Sequence, residues 1–474
     1  AIANFSTDSD KFIYDNTLDP GQANTLEDAA TGTITPSFGN GYLPKWTDSG
    51  NKVFGVLLNF TATDYGSISF TMDGTNWSTP FTKIRLNTGI SWTLGAGGYG
   101  GNVSGQYDEW RVNCGDDPTF AGLVSSSGNA PANGIGSFYY NISSTNAVSL
   151  CTSNLLDPAI DPAVDDLPED YFKCVGYVGN GATGQTVTTG FQPDLIWMKN
   201  RDVAQSHALV DSVRTRDKVL FSDTTSSEQT SSAGKDIASI ISTGFTVGEP
   251  ERAGSTNNSG SNIIAWCFRA GGAPSGSNIY MKDGTGYTNS TSDKTTVFGN
   301  ASNYNITPTS ASIGTKQGFG IYTFTASSGN TKLPHGLGKA PEFVIIKSTD
   351  TASTNWVATF PALADDSYLN TSGARINGSS AGTYFQTTAD ADAITFGLQS
   401  TTYSNKPSLE YVVYAFASIE GYSAFSSYVG NGSATSGTFI FTGFKPALVI
   451  LKGVKDTSSS TGNHWFIYDN KRPE

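Results

Sequence analysis

The chain has 474 residues, of which only 15% are charged and 12% aromatic, with 53 glycines. Its 28 Lys and Arg stand against 41 Asp and Glu, a formal net charge of −13, which argues against a nucleic-acid partner because such binding rests on basic surface. No apolar run approaches the roughly 20 residues that span a bilayer, and Ala1 to Asp10 carry neither a basic nor an apolar segment, so neither membrane insertion nor an export signal is expected.

Ser, Thr, Asn and Gly fill the chain between short clusters of β-branched and aromatic residues, the composition of strands and turns. The length corresponds to about three domains. Val53–Phe60 and Ser67–Met72 alternate as strands, and Asp73-Gly74 supplies a hairpin turn behind them. Gly95–Gly101 has no Lys-Ser/Thr after it and reads as a turn, not a phosphate loop. Asp64 with Asp73, and Asp116-Asp117, lack the spacing of a calcium loop. Cys114, Cys151, Cys174 and Cys267 lack metal-ligand spacing and are expected as buried free thiols. Leu155–Asp170 concentrates proline and acid, which places a domain boundary there.

Beyond that boundary one pattern recurs three times, as Phe191–Lys199, Ala340–Lys347 and Phe444–Lys452. In every copy Lys follows Pro by six residues, and an aromatic strand containing Tyr177, Tyr322 or Tyr428 comes before. Pro opens a strand whose first amide needs no partner, the apolar run is buried on both faces, and Lys returns the chain to solvent. Ile263–Phe268 and Tyr411–Phe416 close the first two units, each of roughly 100 residues. Gly234–Ser242 is the best candidate for a short helix, and Ala273–Gln317 reads as a polar linker or an arm.

Gly55 to Gly74, followed by Pro80–Ile84 and Asp117–Gly122, resembles the later half of a SPRY domain, a concanavalin-like jelly roll; its opening aromatic strand has no counterpart before Lys52. Cys151–Pro158 and Tyr171–Gly272, with Gly190–Arg201, His207–Asp211 and Ala265–Phe268, resemble a repeat of tail-fibre and structural proteins of marine tailed bacteriophages. Gly314–Gly320 with His335–Lys347, and Glu420–Tyr422 with Tyr468–Arg472, carry the companion patterns. What the resemblance implies is a virion protein, assembled in the host cytoplasm.

Acid–base or nucleophilic catalysis has little to draw on: three histidines, His207, His335 and His464, read as structural. Acidic residues such as Asp194, Asp211, Glu249 and Glu251 carry no signature that selects a glycosidase pair. No catalytic residue, metal ligand or cofactor is therefore expected. Trp77, Trp92, Tyr99 and Tyr107 in the SPRY-like domain are candidates to stack on sugar rings; Trp110 fits core packing better.

The sequence thus predicts a mainly β protein of tandem β-sandwiches. A jelly roll spans 1–123, a connector 124–170, a first repeat sandwich 171–274, a polar linker 275–317, a second sandwich 318–424 and a partial third repeat 425–474. The expected function is host adhesion by a phage tail fibre or spike, homotrimeric for avidity, with other virion proteins and a host glycan or protein as partners. The alternatives are a capsid head-fibre or decoration protein and, in the enzyme class, a polysaccharide depolymerase.

Overall fold

In the computed structural model the chain divides into two compact units, Ala1–Leu156 and Asp157–Glu474. In the first unit the structure describes residues 2–3, 26–28, 32–34, 55–59, 66–71, 78–84, 93–94, 117–120, 122, 124–131, 133–140 and 149. In the second it describes 158–361, 365–371, 387–397, 405–433, 435–453 and 464–472.

The first unit contains β1 (Ile2–Ala3), β2 (Leu26–Asp28), β3 (Gly32–Ile34), β4 (Gly55–Asn59), β5 (Gly66–Thr71), β6 (Ser78–Ile84) and β7 (Thr93–Leu94). The alternating segments pair antiparallel, Gly55 opposite Thr71 and Asn59 opposite Ser67, and β6 extends the sheet on the other side of β5. Asp73 and Gly74 lie outside the described residues. β1 pairs with β7 and β2 with β3.

The second unit begins with two 3-10 turns, Pro162–Val164 and Pro168–Asp170, where proline density disfavours both regular helix and sheet. The first repeat then runs through β8 (Phe172–Val178), β9 (Gln185–Thr188), β10 (Leu195–Asn200), β11 (Ala208–Asp211), β12 (Thr215–Phe221), β13 (Gln229–Thr230), β14 (Ile237–Ile241), β15 (Gly244–Val247) and β16 (Asn262–Phe268). A six-stranded sheet in the order β13-β12-β11-β10-β16-β8 faces a three-stranded sheet, β14-β15-β9. Ile196, Met198, Val187 and Phe245 lie in the core between them, as a sandwich requires.

The second repeat comprises β17 (Tyr280–Lys282), β18 (Thr285–Tyr287), α1 (Thr291–Phe298), β19 (Ser310–Gly314), β20 (Phe319–Thr325), β21 (Thr331–Pro334), β22 (Phe343–Ser348), β23 (Val357–Phe360), β24 (Asp365–Tyr368), β25 (Thr388–Ala389), β26 (Ala393–Phe396) and β27 (Glu410–Phe416). In its large sheet, β18-β17-β19-β20-β27-β22-β23-β24, the five strands from β20 to β24 repeat the order of β8, β16, β10, β11 and β12, with three strands added beyond β20 and none at the place of β13, and β21-β26-β25 covers it. The third repeat contributes one described pair, β28 (Leu448–Lys452) with β29 (Trp465–Asp469).

All three Pro-to-Lys segments are thus strands, β10, β22 and β28. The turn ahead of the first and third is set by Gly190 (φ 95°) and Gly443 (φ 81°), a region that L side chains rarely enter. The hydroxyls of Thr189 and Thr442 donate across the turn to the carbonyls of Phe191 and Phe444.

Three expectations are corrected. The segment 275–317 is not a linker: Tyr280, Val297, Phe298, Ala311 and Ile313 are buried in the second core, so aromatics isolated in polar sequence still anchor strands and a helix. Gly234–Ser242 forms β14, not a helix, because Ile237–Ile241 finds a ladder partner in β15, and β-branched side chains pack well on a pleated face. The one α-helix among the described residues is α1, capped by the Ser290 hydroxyl, which accepts from the Asp293 amide at 3.1 Å. Finally, the recurring Lys does not return the chain to solvent in the second repeat. Lys347 is fully buried, with Nζ donating to the Thr354 carbonyl and hydroxyl at 2.7 and 2.6 Å. Lys199 makes the corresponding bonds to the Val203 and Gln205 carbonyls, so the amine closes the loop behind its own strand.

Candidate interaction surface

Each large sheet buries its second face as well. Leu195 and Trp197 of β10, Phe343 and Ile345 of β22, and Leu448 and Ile450 of β28 all enter one apolar cluster shared by the three repeats. Equivalent contacts join them in one rotational sense. The Trp356 indole N–H donates to the Phe221 carbonyl of the first repeat at 2.8 Å, and Trp465 donates to the Tyr368 carbonyl of the second at 3.0 Å. Phe221 and Tyr368 are matched positions, opposite Ala208 and Val357 in their sheets.

A buried polar cluster accompanies the indole contact between the first two repeats. Arg214 donates to Asp211 at 2.7 Å, to Glu228 at 2.9 Å and to the Tyr414 hydroxyl of the second repeat at 3.2 Å; Tyr414 donates to Asp211 at 2.7 Å. Burial disfavours the charged guanidinium, yet Asp211, Tyr414 and Glu228 hold its pKa well above the usual value. In the third repeat Arg472 pairs with Asp469 at 2.6 Å, and the Trp266 indole of the first repeat donates to the same carboxylate at 3.1 Å. Burial alone would raise the Asp469 pKa; the amides of Arg472 and Lys471, the Trp266 indole and the Arg472 charge keep it below the ordinary range. Trp266 and Tyr414 occupy matching places, opposite Trp197 and Ile345. The Asp-x-x-Arg spacing of 211–214 and 469–472 was the available sequence signal. In the second repeat Phe360 stands at that Asp position, paired opposite in β24 to Asp365 and packed on Phe343.

The polar residues singled out from the sequence serve cohesion. Asp194 accepts from Ser212, Ala270 and Gly272; burial raises its pKa. Glu249 pairs with Lys235, and Glu251 accepts from Ser232. Asp211 pairs with Arg214, so each of these four carboxylates is engaged by an ion pair or hydrogen bonds. His335 is buried, with Nδ1 accepting from the Leu337 amide and Nε2 facing the Asp390 carbonyl, so the neutral ring carries its proton on Nε2. Burial pushes its pKa down. His207, whose pKa burial also lowers, occupies the place of Trp356 and Trp465; His335 has no such equivalence to it. Cys174 and Cys267 are buried free thiols, and burial pushes Cys174 up to about 12. Cys114 and Cys151 lie outside the described residues, as do Trp77, Trp92, Tyr99, Tyr107 and Trp110.

Two buried asparagines escaped the sequence reading. Asn257 and Asn405 each lie five residues before a central strand, β16 or β27. Asn257 Nδ2 donates to Ala182 and Gly248 at 2.8 and 2.9 Å; Asn405 Nδ2 donates to Gly329 and Phe396, both at 3.1 Å. Asn405→Ala leaves buried carbonyls unpaired and is expected to cost about 1–3 kcal/mol, read as a lower urea midpoint at unchanged slope.

Residues 167–474, more than half of the chain, match a family described as a domain of unknown function, DUF7483. The chain belongs to that family. No curated protein and no solved structure matches it. The DUF7483 region therefore takes in all three repeats, and its third repeat presents the most conspicuous free surface. Val187, Ile196, Met198, Ala208 and Val210 are buried in the first core. Their counterparts are Ile440, Val449, Leu451, Phe466 and Tyr468. Ile440 is 39% exposed, Phe466 47% and Tyr468 57%, while Val449 and Leu451 are only partly covered. Tyr428, the expected third aromatic strand residue, is 51% exposed and belongs to no strand. This apolar sheet face is the candidate interaction surface of the DUF7483 region.

Proposed function

We propose that this chain is a structural protein of a tailed-bacteriophage particle, a tail-fibre or spike component that acts by host-surface adhesion and not by catalysis. The observation that carries the reading is the ring of three repeats in one chain. Recurrent Trp, Asp-x-x-Arg and Lys positions are spent on binding repeat to repeat and loop to strand, the use expected of a scaffold. The phage-repeat resemblance of Tyr171–Gly272 agrees with it.

In this reading the first unit offers Trp77, Trp92, Tyr99 and Tyr107 to a host glycan, and trimerisation on other virion proteins multiplies weak contacts. The test is gold-labelled antibody against the purified protein on phage particles, paired with adsorption in the presence of free protein. Label at the tail and slowed adsorption are expected. Label spread over the capsid would replace the fibre with a decoration protein, and shortened surface polysaccharide after incubation would replace adhesion with depolymerisation.

A further inference from the structure

The recurring lysine of each repeat has an aromatic residue across from it in the sheet. The strand registers carry Lys452 opposite Trp465, Lys347 opposite Trp356 and, in the first repeat, Lys199 opposite His207. The Lys452 ammonium lies 5.6 Å from the Trp465 ring centroid, a neighbour that the negative face of an indole favours. An imidazole at the same place can gain a proton and become a second cation. The aromatic position also faces a junction. Trp356 stacks on Tyr414, whose hydroxyl accepts from Arg214 of the first repeat. At the junction of the first and third repeats the counterpart of Arg214 is Arg472, which lies 5.5 Å from the ring of Trp266, the counterpart of Tyr414. His207 stands where Trp356 stands, on the side from which Arg472 approaches. Among the described residues three charged groups act on its ring: Asp223, whose Oδ1 accepts from the His207 amide at 3.0 Å, Lys199 across the strand pair, and Arg472 from the third repeat.

We propose that His207 makes the junction between the first and third repeats acid-labile, so that it opens below about pH 6, unlike the junction of the first two repeats, which is built on Trp356. An imidazolium at this place meets two cations and one carboxylate, in half-buried surroundings where water screens them poorly. Burial already holds the His207 pKa below its ordinary value in the closed chain. As pH falls through about 6.5, the opened junction therefore takes up a proton that the closed one refuses, and opening gains. Asp469 does not act in this range, because its pKa lies below the ordinary carboxylate values and its charge persists. Opening parts the Trp266 indole from Asp469, and the Cys174 sulfur from the Ala447 carbonyl, now 3.6 Å apart. Cys267 lies in the first core, behind the junction, and is left covered.

The test uses the full chain and dithiodipyridine, which attacks thiols in acid as well as at neutral pH. Modification of Cys174 and of Cys267 is followed by mass spectrometry at about pH 7.5 and about pH 5, each rate divided by that of an unstructured cysteine peptide. The normalised Cys174 rate is expected to rise at least about tenfold toward the lower pH while Cys267 stays protected. His207→Gln should abolish the rise, and His207→Lys should give the fast rate at both pH values. A Cys174 rate that does not change with pH in the unaltered chain overturns the proposal whether or not the variants fold. So does an equal rise in His207→Gln, or a rise at Cys267 together with Cys174, which would mean that the first repeat unfolds as a whole.

Discussion

Arg214→Met is expected to lower the unfolding free energy by about 3–5 kcal/mol, because it leaves Asp211 buried without its cation while Glu228 and Tyr414 lose a partner. Asp211 is fully buried and Arg214 nearly so, which denies either charge the compensation of water. Urea denaturation followed by tryptophan fluorescence measures the loss. The double variant Asp211→Leu/Arg214→Met should recover much of it, since replacing both members of a buried pair by apolar groups removes the unpaired charge. A loss under about 1 kcal/mol for the single variant would show that this contact does not hold the first two repeats together.

The contribution of Lys347 to stability should rise with pH between about 8 and about 10.5, against the opposite trend of the buried Cys174 and Cys267 thiols. Burial pushes the lysine's pKa down from 10.5 to about 8 in the folded chain. Within that window the unfolded chain holds a proton that the folded chain has released, so folding gains as pH increases; below 8 the folded state bears the full cost of a buried ammonium. The pH-dependent part amounts to about 3 kcal/mol. Lys347→Met removes it, and the comparison of urea midpoints at pH 8 and pH 10 for the two proteins isolates the difference from other titrating groups. Equal slopes for both would refute the assignment. Lys199, which is less buried, shows the same direction of shift.

These two side chains also mark where sequence reading succeeded and where it stopped. The Pro-to-Lys spacing identified β10, β22 and β28, because proline, a branched apolar run and a polar end make a local statement about one strand. The same reasoning sent Lys347 to solvent, since local pattern cannot show that the Thr354 carbonyl and hydroxyl wait behind the strand. Ile237–Ile241 was misread because its apolar spacing fits either period, and only the presence of β15 decides between them. Among the candidate ligand-stacking residues, Trp77, Trp92, Tyr99 and Tyr107 lie outside the described residues, whereas the exposed face of the third repeat was not anticipated.

What the sequence determined by itself was the β class, the three-fold recurrence and the strands at its centre, all of which follow from periodicity and turn chemistry over a few neighbouring residues. What the tertiary structure alone decided was that the two large sheets bury both faces, the second of them in a cluster shared by all three repeats, and that Arg214 and Arg472 lie at successive junctions. Those outcomes depend on pairs some 200 residues apart, such as Arg214 with Tyr414 and Trp266 with Asp469. Their energy exists only once the chain has brought both members out of water together.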